Sequence, residues 1–419
     1  MWSSSRNLQL TCPLNSAGLC VTLIEYKPFV NIIRLRTATW LGATVVAACL
    51  LGTAGCSSSP SSSSPGPSSS SATVSSSSFT VKQIVLATTL HHSFQPGGTG
   101  SMRTEHLAQP DDIVTLGGNL YIGFQNNVGS QGEVAPSGNL DSTLVEFTPA
   151  GSVVRQWDVT GKIDGMGADP ATGQIFATVN EDSKSSLYVL SHGTVTHYSY
   201  TPATLPHLGG TDAIAVDNGK ILVSASAPGT AAKAPASAPA VYVVTLNAAA
   251  KTAAVAPFFA DNATATGINA PNAGKKVTLA LTDPDSSAVV PSSSSAFAGD
   301  FVLNSQGDQE LIFSGAAGQN LQVLKIPTPV DDIAWATSAS GTLYTTDSSA
   351  DTIDAITGPF KPGTLYTSVT PCNANSAPAV CPATGYPANS LGTINLKTGA
   401  IGKVAVIGPV QPKGMIFVP

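Results

Sequence analysis

The chain has 419 residues, a formal net charge of −6 and only 11% charged residues, with 39 Gly and 30 Pro. Charged residues make up about 25% of an average soluble protein, and the balance here is acidic with no Lys/Arg cluster. That excludes an electrostatic footprint for nucleic acid and direct docking on an anionic membrane surface.

Residues 1–33 carry no usable periodicity. Arg34 and Arg36 then precede an apolar run, Trp40 to Leu51, which ends in Leu51-Gly-Thr-Ala-Gly-Cys56. A charged segment, a short apolar segment and small residues before a cut make a secretory signal. The run is too short to cross a bilayer, which takes about 20 residues. The small residues before Cys56 resemble a bacterial lipobox. That resemblance implies a diacylated Cys56 as the new N-terminus, and so a body anchored on the extracytoplasmic face of the cell membrane. Thr53 stands where the pattern prefers Leu, Val or Ile, and an ordinary signal with an incidental Cys is the alternative. The length ahead of Arg34 leads us to expect a later translation start, near Val30. Ser57 to Ser78 is almost wholly Ser, Pro, Gly, Ala and Thr and reads as a flexible tether. The expected organisation is leader 1–56, tether 57–78 and folded body 79–419.

Outside the leader and Cys56, only Cys372 and Cys381 remain. Each adjoins a proline in a stretch without strand pattern. In an exported protein the pair is expected to form a loop-stapling disulfide. A metal or redox pair is the alternative, with neither CxxC nor a nearby His in its favour.

From Phe79 the pattern is all β. Phe79–Leu90 is strand-like, and His91–Leu107 reads as irregular. Four-strand units are then predicted from Asp111, Asp164, Asp212, Asp285 and Asp331. The second, Lys162 to Leu190, sets the phrase: short strand, Pro-Gly turn, strand, polar turn, strand. The fifth is read as Asp331 onward with Thr342–Thr346, Asp351–Ile356 and Thr364–Val369, leaving a surplus hairpin at 392–406. The chain stops after Lys413-Gly-Met-Ile-Phe-Val418, where Lys413 takes the place of the opening Asp. Too little chain remains there to finish a unit, and Phe79–Leu90 is free to complete it. A β-propeller of six four-stranded blades is expected, closed between the N- and C-terminal strands so that no sheet edge is left open. Five or seven blades remain alternatives.

Two phrases carry a family resemblance: Asp164-Gly-Met-Gly-Ala-Asp-Pro with Gly173–Asn180, and Thr211-Asp-Ala-Ile-Ala-Val-Asp217 with Gly219-Lys-Ile-Leu-Val. They resemble the NHL-repeat and gluconolactonase-like propellers.

In a propeller blade the start of the innermost strand and the end of the second strand meet at one mouth of the channel. The openers Asp111, Asp164, Asp212, Asp285 and Asp331, with Lys413 in the sixth place, are expected to converge there with Asn126, Asn180, Asn304 and Asp347. Such a ring of oxygens suits Ca²⁺ or Mg²⁺. The resemblance implies one divalent ion at the mouth, with Asn126 and Asn180 as matching ligands beside Asp212 and Asp331. No opening Glu matches the family. Asp111, Asp164, Asp285 and Asp347 are the remaining ligand-binding candidates. The competing account is structural, because Asp and Asn are turn residues that bond their own backbone. The scattered His residues, Trp157 and Trp335 read as surface or packing residues, and there is no nucleophile elbow, P-loop or dinucleotide fingerprint. The function expected is a binding module of the cell envelope for a protein, glycan or small molecule. The alternatives are a divalent-metal-dependent lactonase-like hydrolase or lyase, and a purely structural envelope protein.

Overall fold

Short strands joined by tight turns run through a computed structural model, which describes residues 78–230, 233, 235–370 and 389–419. These lie in the compact unit Thr73–Pro419. Cys56, tether residues 57–77 and the Cys372–Cys381 pair fall outside the described residues. Two three-residue 3₁₀ turns, Ala87–Thr89 and Pro96–Gly98, are the helical elements among the described residues. No helix there is long and apolar enough to cross a membrane.

Hairpin chemistry sets the strand pairing. Asn218 and Gly219 both take positive φ (49° and 77°) between Asp217 and Lys220. A two-residue turn of that hand matches the twist of the strands it joins. The antiparallel set Thr211–Asp217, Lys220–Ala225, Pro239–Asn247 and Thr252–Ala260 follows from it. Three more sets share this plan. One is Pro110–Leu116, Asn119–Phe124, Asp141–Phe147 and Val153–Thr160. The next is Ile163–Asp169, Gln174–Val179, Ser186–Ser191 and Thr194–Thr201. The third is Pro284–Val289, Phe301–Ser305, Glu310–Ser314 and Gln322–Lys325. Burial falls outward within a set: Asn119–Phe124 is almost wholly buried, whereas Val153–Thr160 is mostly exposed.

The end of the chain departs from the expected order. Val330–Trp335 does not pair with Thr342–Asp347. It pairs with Leu365–Val369, followed by Ser390–Ile394 and Ile401–Lys403. The surplus hairpin therefore supplies that set's outer strands. Thr342–Asp347 and Thr352–Thr357 cross to the next set, where Met415–Val418 is the inner strand, Phe79–Leu86 the fourth, and Val406–Ile407 pairs beyond it. The expected closure between the two ends is present, with a swap in the unit before it. His91–Leu107 also differs from expectation, since His91–Phe94 and Arg103–His106 form a hairpin.

Each inner strand packs against the next: Pro110–Leu116, Ile163–Asp169, Thr211–Asp217, Pro284–Val289, Val330–Trp335, Met415–Val418, and back to Pro110–Leu116. Apolar layers fill the space between neighbouring sheets. Val114 and Tyr121 of one meet Met166 and Ile175 of the next. At the closure Tyr344 and Ile353 meet Ile113 and Ile122. Radially arranged sheets around a channel, with the core between sheets, make the fold a β-propeller.

Candidate functional site

The inner strands enclose a channel of about 370 Å³ lined by all five opening aspartates and Lys413. A local irregularity places them there. In the strands that begin at Pro110, Ile163, Thr211, Pro284 and Val330 the pairing register shifts at the opening residues. A bulge re-aims side chains at the end of a sheet. Glycines at the second position let the strands close in. A Cβ on Gly165 would lie 2.2 Å from the Asp212 carbonyl oxygen, and one on Gly414 would lie 2.3 Å from that of Asp111.

The ring is partnered on one side and not on the other. Lys413 Nζ lies 2.8 Å from Asp111 Oδ1 and 3.8 Å from Asp331 Oδ2. Gln125 Nε2 donates to Asp111 Oδ2 at 2.5 Å and to Asp164 Oδ1 at 3.2 Å. Lys162 Nζ joins Asp164 (2.7 Å) and Glu181 (2.6 Å). Gln306 Nε2 bridges Asp285 (3.1 Å) and Asp331 (2.9 Å). Asp212 is only 8% exposed, yet no described side chain or backbone group bonds its carboxylate.

The second-position aspartates serve the frame. Asp112 accepts from the Met166 N–H at 2.5 Å, and Asp332 from the Met415 N–H at 2.5 Å. Each therefore latches its strand to the following one. At the third position the channel is apolar, with Ile113, Met166, Ile214, Ile333 and Met415; Ser287 takes the remaining place. The hydroxyls of Ser286 and Ser287 are buried without a hydrogen-bond partner.

Burial drives the electrostatics. It pushes Asp212 well above the ordinary carboxylate range, and Glu181 and Asp164 add to the rise. Burial does the same to Asp285, helped by Asp331 and Asp212. Asp164 is pushed up by burial to about 8 although Lys162 opposes it, and Asp112 to about 7. Burial works against charge on Lys413, but Asp111, Asp331 and Asp285 outweigh it and hold the ammonium charged.

Not every expected residue reaches this mouth. Asp111, Asp164, Asp212, Asp285 and Asp331 do. Asn126 spends its amide on Ala108 N–H, Asp141 C=O and Thr143 Oγ1. Asn180 accepts from Lys162 N–H and donates to Lys184 C=O. Asp347 gathers the N–H groups of Ser349, Ala350 and Gln411. These three hold turns, as the structural account of Asn and Asp foresees. The four residues expected around Ca²⁺ or Mg²⁺ are not brought together, because Pro284–Val289 separates the strands of Asp212 and Asp331. Among the described residues no group of three or more His, Cys, Asp or Glu is arranged for a metal ion. The sequence reading passed over Gln125, Gln306 and Lys162. Their signal was position: each lies within two residues of a residue that was singled out.

The propeller thus has a channel with a polar, acidic mouth and an apolar throat. No family model and no curated protein matches the chain. Among solved structures, a protein of unknown function from Bacteroides thetaiotaomicron is 11% identical with a TM-score of 0.42, over 80% of this chain and 66% of its own length. A streptogramin B lyase is 11% identical (TM-score 0.38; 81% of this chain, 91% of that one). A virginiamycin B lyase from Staphylococcus aureus is 9% identical (TM-score 0.39; 67% and 99%). With TM-scores below 0.5, the fold assignment rests on the strand pairings themselves.

Proposed function

We propose that the protein is a six-bladed, lipid-anchored extracytoplasmic propeller that binds a ligand at the acidic mouth of its channel. One observation carries the binding reading: the openings of the inner strands meet at one mouth and leave the Asp212 side without a partner. A buried carboxylate without a partner is costly, and a ligand that pairs with it recovers that cost. The lipobox-like run before Cys56 and the tether after it support the anchoring. The ring of six inner strands, each packed on the next, supports the blade count.

The test is calorimetric titration of the purified full chain with Ca²⁺, Mg²⁺, sugar acids, lactones and organic cations, beside Asp212→Asn. Saturable binding of any of these that the variant weakens supports the mouth as the site. Binding that the variant leaves unchanged sinks it. A hydrolase or lyase is the second reading. Its support is that Asp164, at the channel mouth, titrates near neutrality, at about 8, where a general acid or base works best. Turnover of a lactone by the wild type that Asp164→Asn abolishes would favour it over simple binding.

A further inference from the structure

The uncompensated groups of the channel lie on two neighbouring strands, Thr211–Asp217 and Pro284–Val289. There Asp212 has no partner, and Asp285 uses Oδ2 on Gln306 and has no bond at Oδ1. The Ser286 and Ser287 hydroxyls are buried and unpaired. Ser287 breaks the apolar belt of Ile and Met that the other inner strands supply at its level. A buried polar atom in a native interior is almost always satisfied, and these two hydroxyls belong to residues that line the channel. Across the ring, Lys413 and the two glutamines already compensate their carboxylates.

This asymmetry fixes the chemistry of the occupant. The open side offers two carboxyl groups, which burial biases toward the neutral form until a cation pairs with them, and two hydroxyls whose oxygens can accept. A hydrogen-bonded cation is what they lack. The belt beyond them is apolar, as Ile214, Ile333 and Met415 make it. A primary ammonium carries three donors and one charge, which matches Asp212, Asp285 and a serine oxygen. We propose that the channel binds an organic primary amine, its ammonium between Asp212 and Asp285 and its apolar body along the Ile/Met belt. The channel's 370 Å³ suits a small organic molecule. This inference rests on the binding reading above and specifies its ligand.

The probes are hexylamine and phenethylamine. Phenethyl alcohol removes the charge, and benzyltrimethylammonium keeps the charge but has no N–H donor. Each is titrated into the purified full chain. The amines are expected to bind one per chain, at least tenfold more tightly than either control. Asp212→Asn and Ser287→Ile should each weaken amine binding at least tenfold, and circular dichroism should report an unchanged fold. If Ser287→Ile fails to fold, Ser287→Ala replaces it, with a loss of threefold or more expected. Equal binding of amine and alcohol, or amine affinity untouched by Asp212→Asn, overturns the proposal. So does the absence of amine binding to folded protein. If Ca²⁺ or a sugar acid then binds in a manner that depends on Asp212, the mouth remains a binding site and only the amine assignment falls.

Discussion

His207 is a buried imidazole with both ring nitrogens engaged. The Gly210 carbonyl, 2.7 Å from Nε2, can only accept, so Nε2 carries the proton. Nδ1 then accepts from the Tyr242 hydroxyl at 2.6 Å. Burial lowers its pKa from 6.5 to about 4, so the unfolded chain takes up a proton that the folded one refuses. Stability is therefore lost as pH falls from 6.5 towards 4, by about 3 kcal/mol for a shift of this size. Denaturant midpoints measured across that range should drop less in His207→Gln than in the wild type. Gly165 makes a steric prediction. Its missing Cβ leaves room for the Asp212 carbonyl, and Gly165→Ala should cost about 3 kcal/mol or more, read by denaturant unfolding. The opening aspartates were legible in the sequence because they recur at one place in a repeated phrase. Asn126 and Asn180 recur too, but their positive φ (51° and 64°) marks turn positions. A sequence does not separate a polar residue that faces a channel from one that caps its own turn.

Phe79–Leu86 is the fourth strand of the closing sheet, with the two-residue strand Val406–Ile407 pairing in parallel beyond its start. Its pairing with Thr352–Thr357 covers an edge, and Phe79 packs on Phe360 at 5.1 Å and Tyr366 at 6.0 Å. Removing residues 79–86 exposes that edge as a template for another chain. The truncated protein should self-associate, as light scattering would report. A monomer of wild-type stability would contradict this role for the strand. At this scale the sequence was a good guide to strands and a poor guide to partners. Val330–Trp335 and Thr342–Asp347 look like successive strands of one unit, because period-two alternation names a strand without naming its neighbour. The crossing that separates them brings Phe360 onto Phe417 (4.9 Å apart) at the closure, a long-range contact with no local signature. The hairpin at His91–His106 was missed for the same reason: its polar residues lack alternation, and its support comes from His92 contacting Glu105 and Asp158.

Across the whole molecule, the channel concentrates acid in a buried space. Asp112 and Asp164 hold protons to about pH 7 and 8, whereas an unfolded chain releases them near pH 4. The folded state therefore binds more protons across that interval, and stability falls as pH rises through it. Above pH 6.5 the His207 contribution is complete and no longer masks the trend. His92 has the same sign. Burial opposes its charge, but Asp158 and Glu105 outweigh that and raise its pKa, so its contribution is lost as pH rises. The thermal midpoint should be lower at pH 8 than at pH 6.5, with a smaller difference in Asp164→Asn. Equal midpoints in the wild type would show that the channel carboxylates are already compensated. The propeller itself was legible from the repeated phrase and from the unit left unfinished at Val418. The imbalance within its ring was not, because it depends on Gln125 and Gln306 reaching across between neighbouring strands.

The crossing near the C-terminus also bears on the order of events during synthesis. The sheet that holds Phe79–Leu86 cannot be completed until Met415–Val418 has emerged. The set opened by Val330–Trp335 waits for Ser390–Ile394 and Ile401–Lys403. The first of the described strands is thus held without its inner partner until the last of them is made, and two sheets finish close together. Such long-range closure is slow and leaves edges exposed meanwhile. A chain exported in extended form would meet this demand by folding only after its last residues arrive, with ring closure as a single late event.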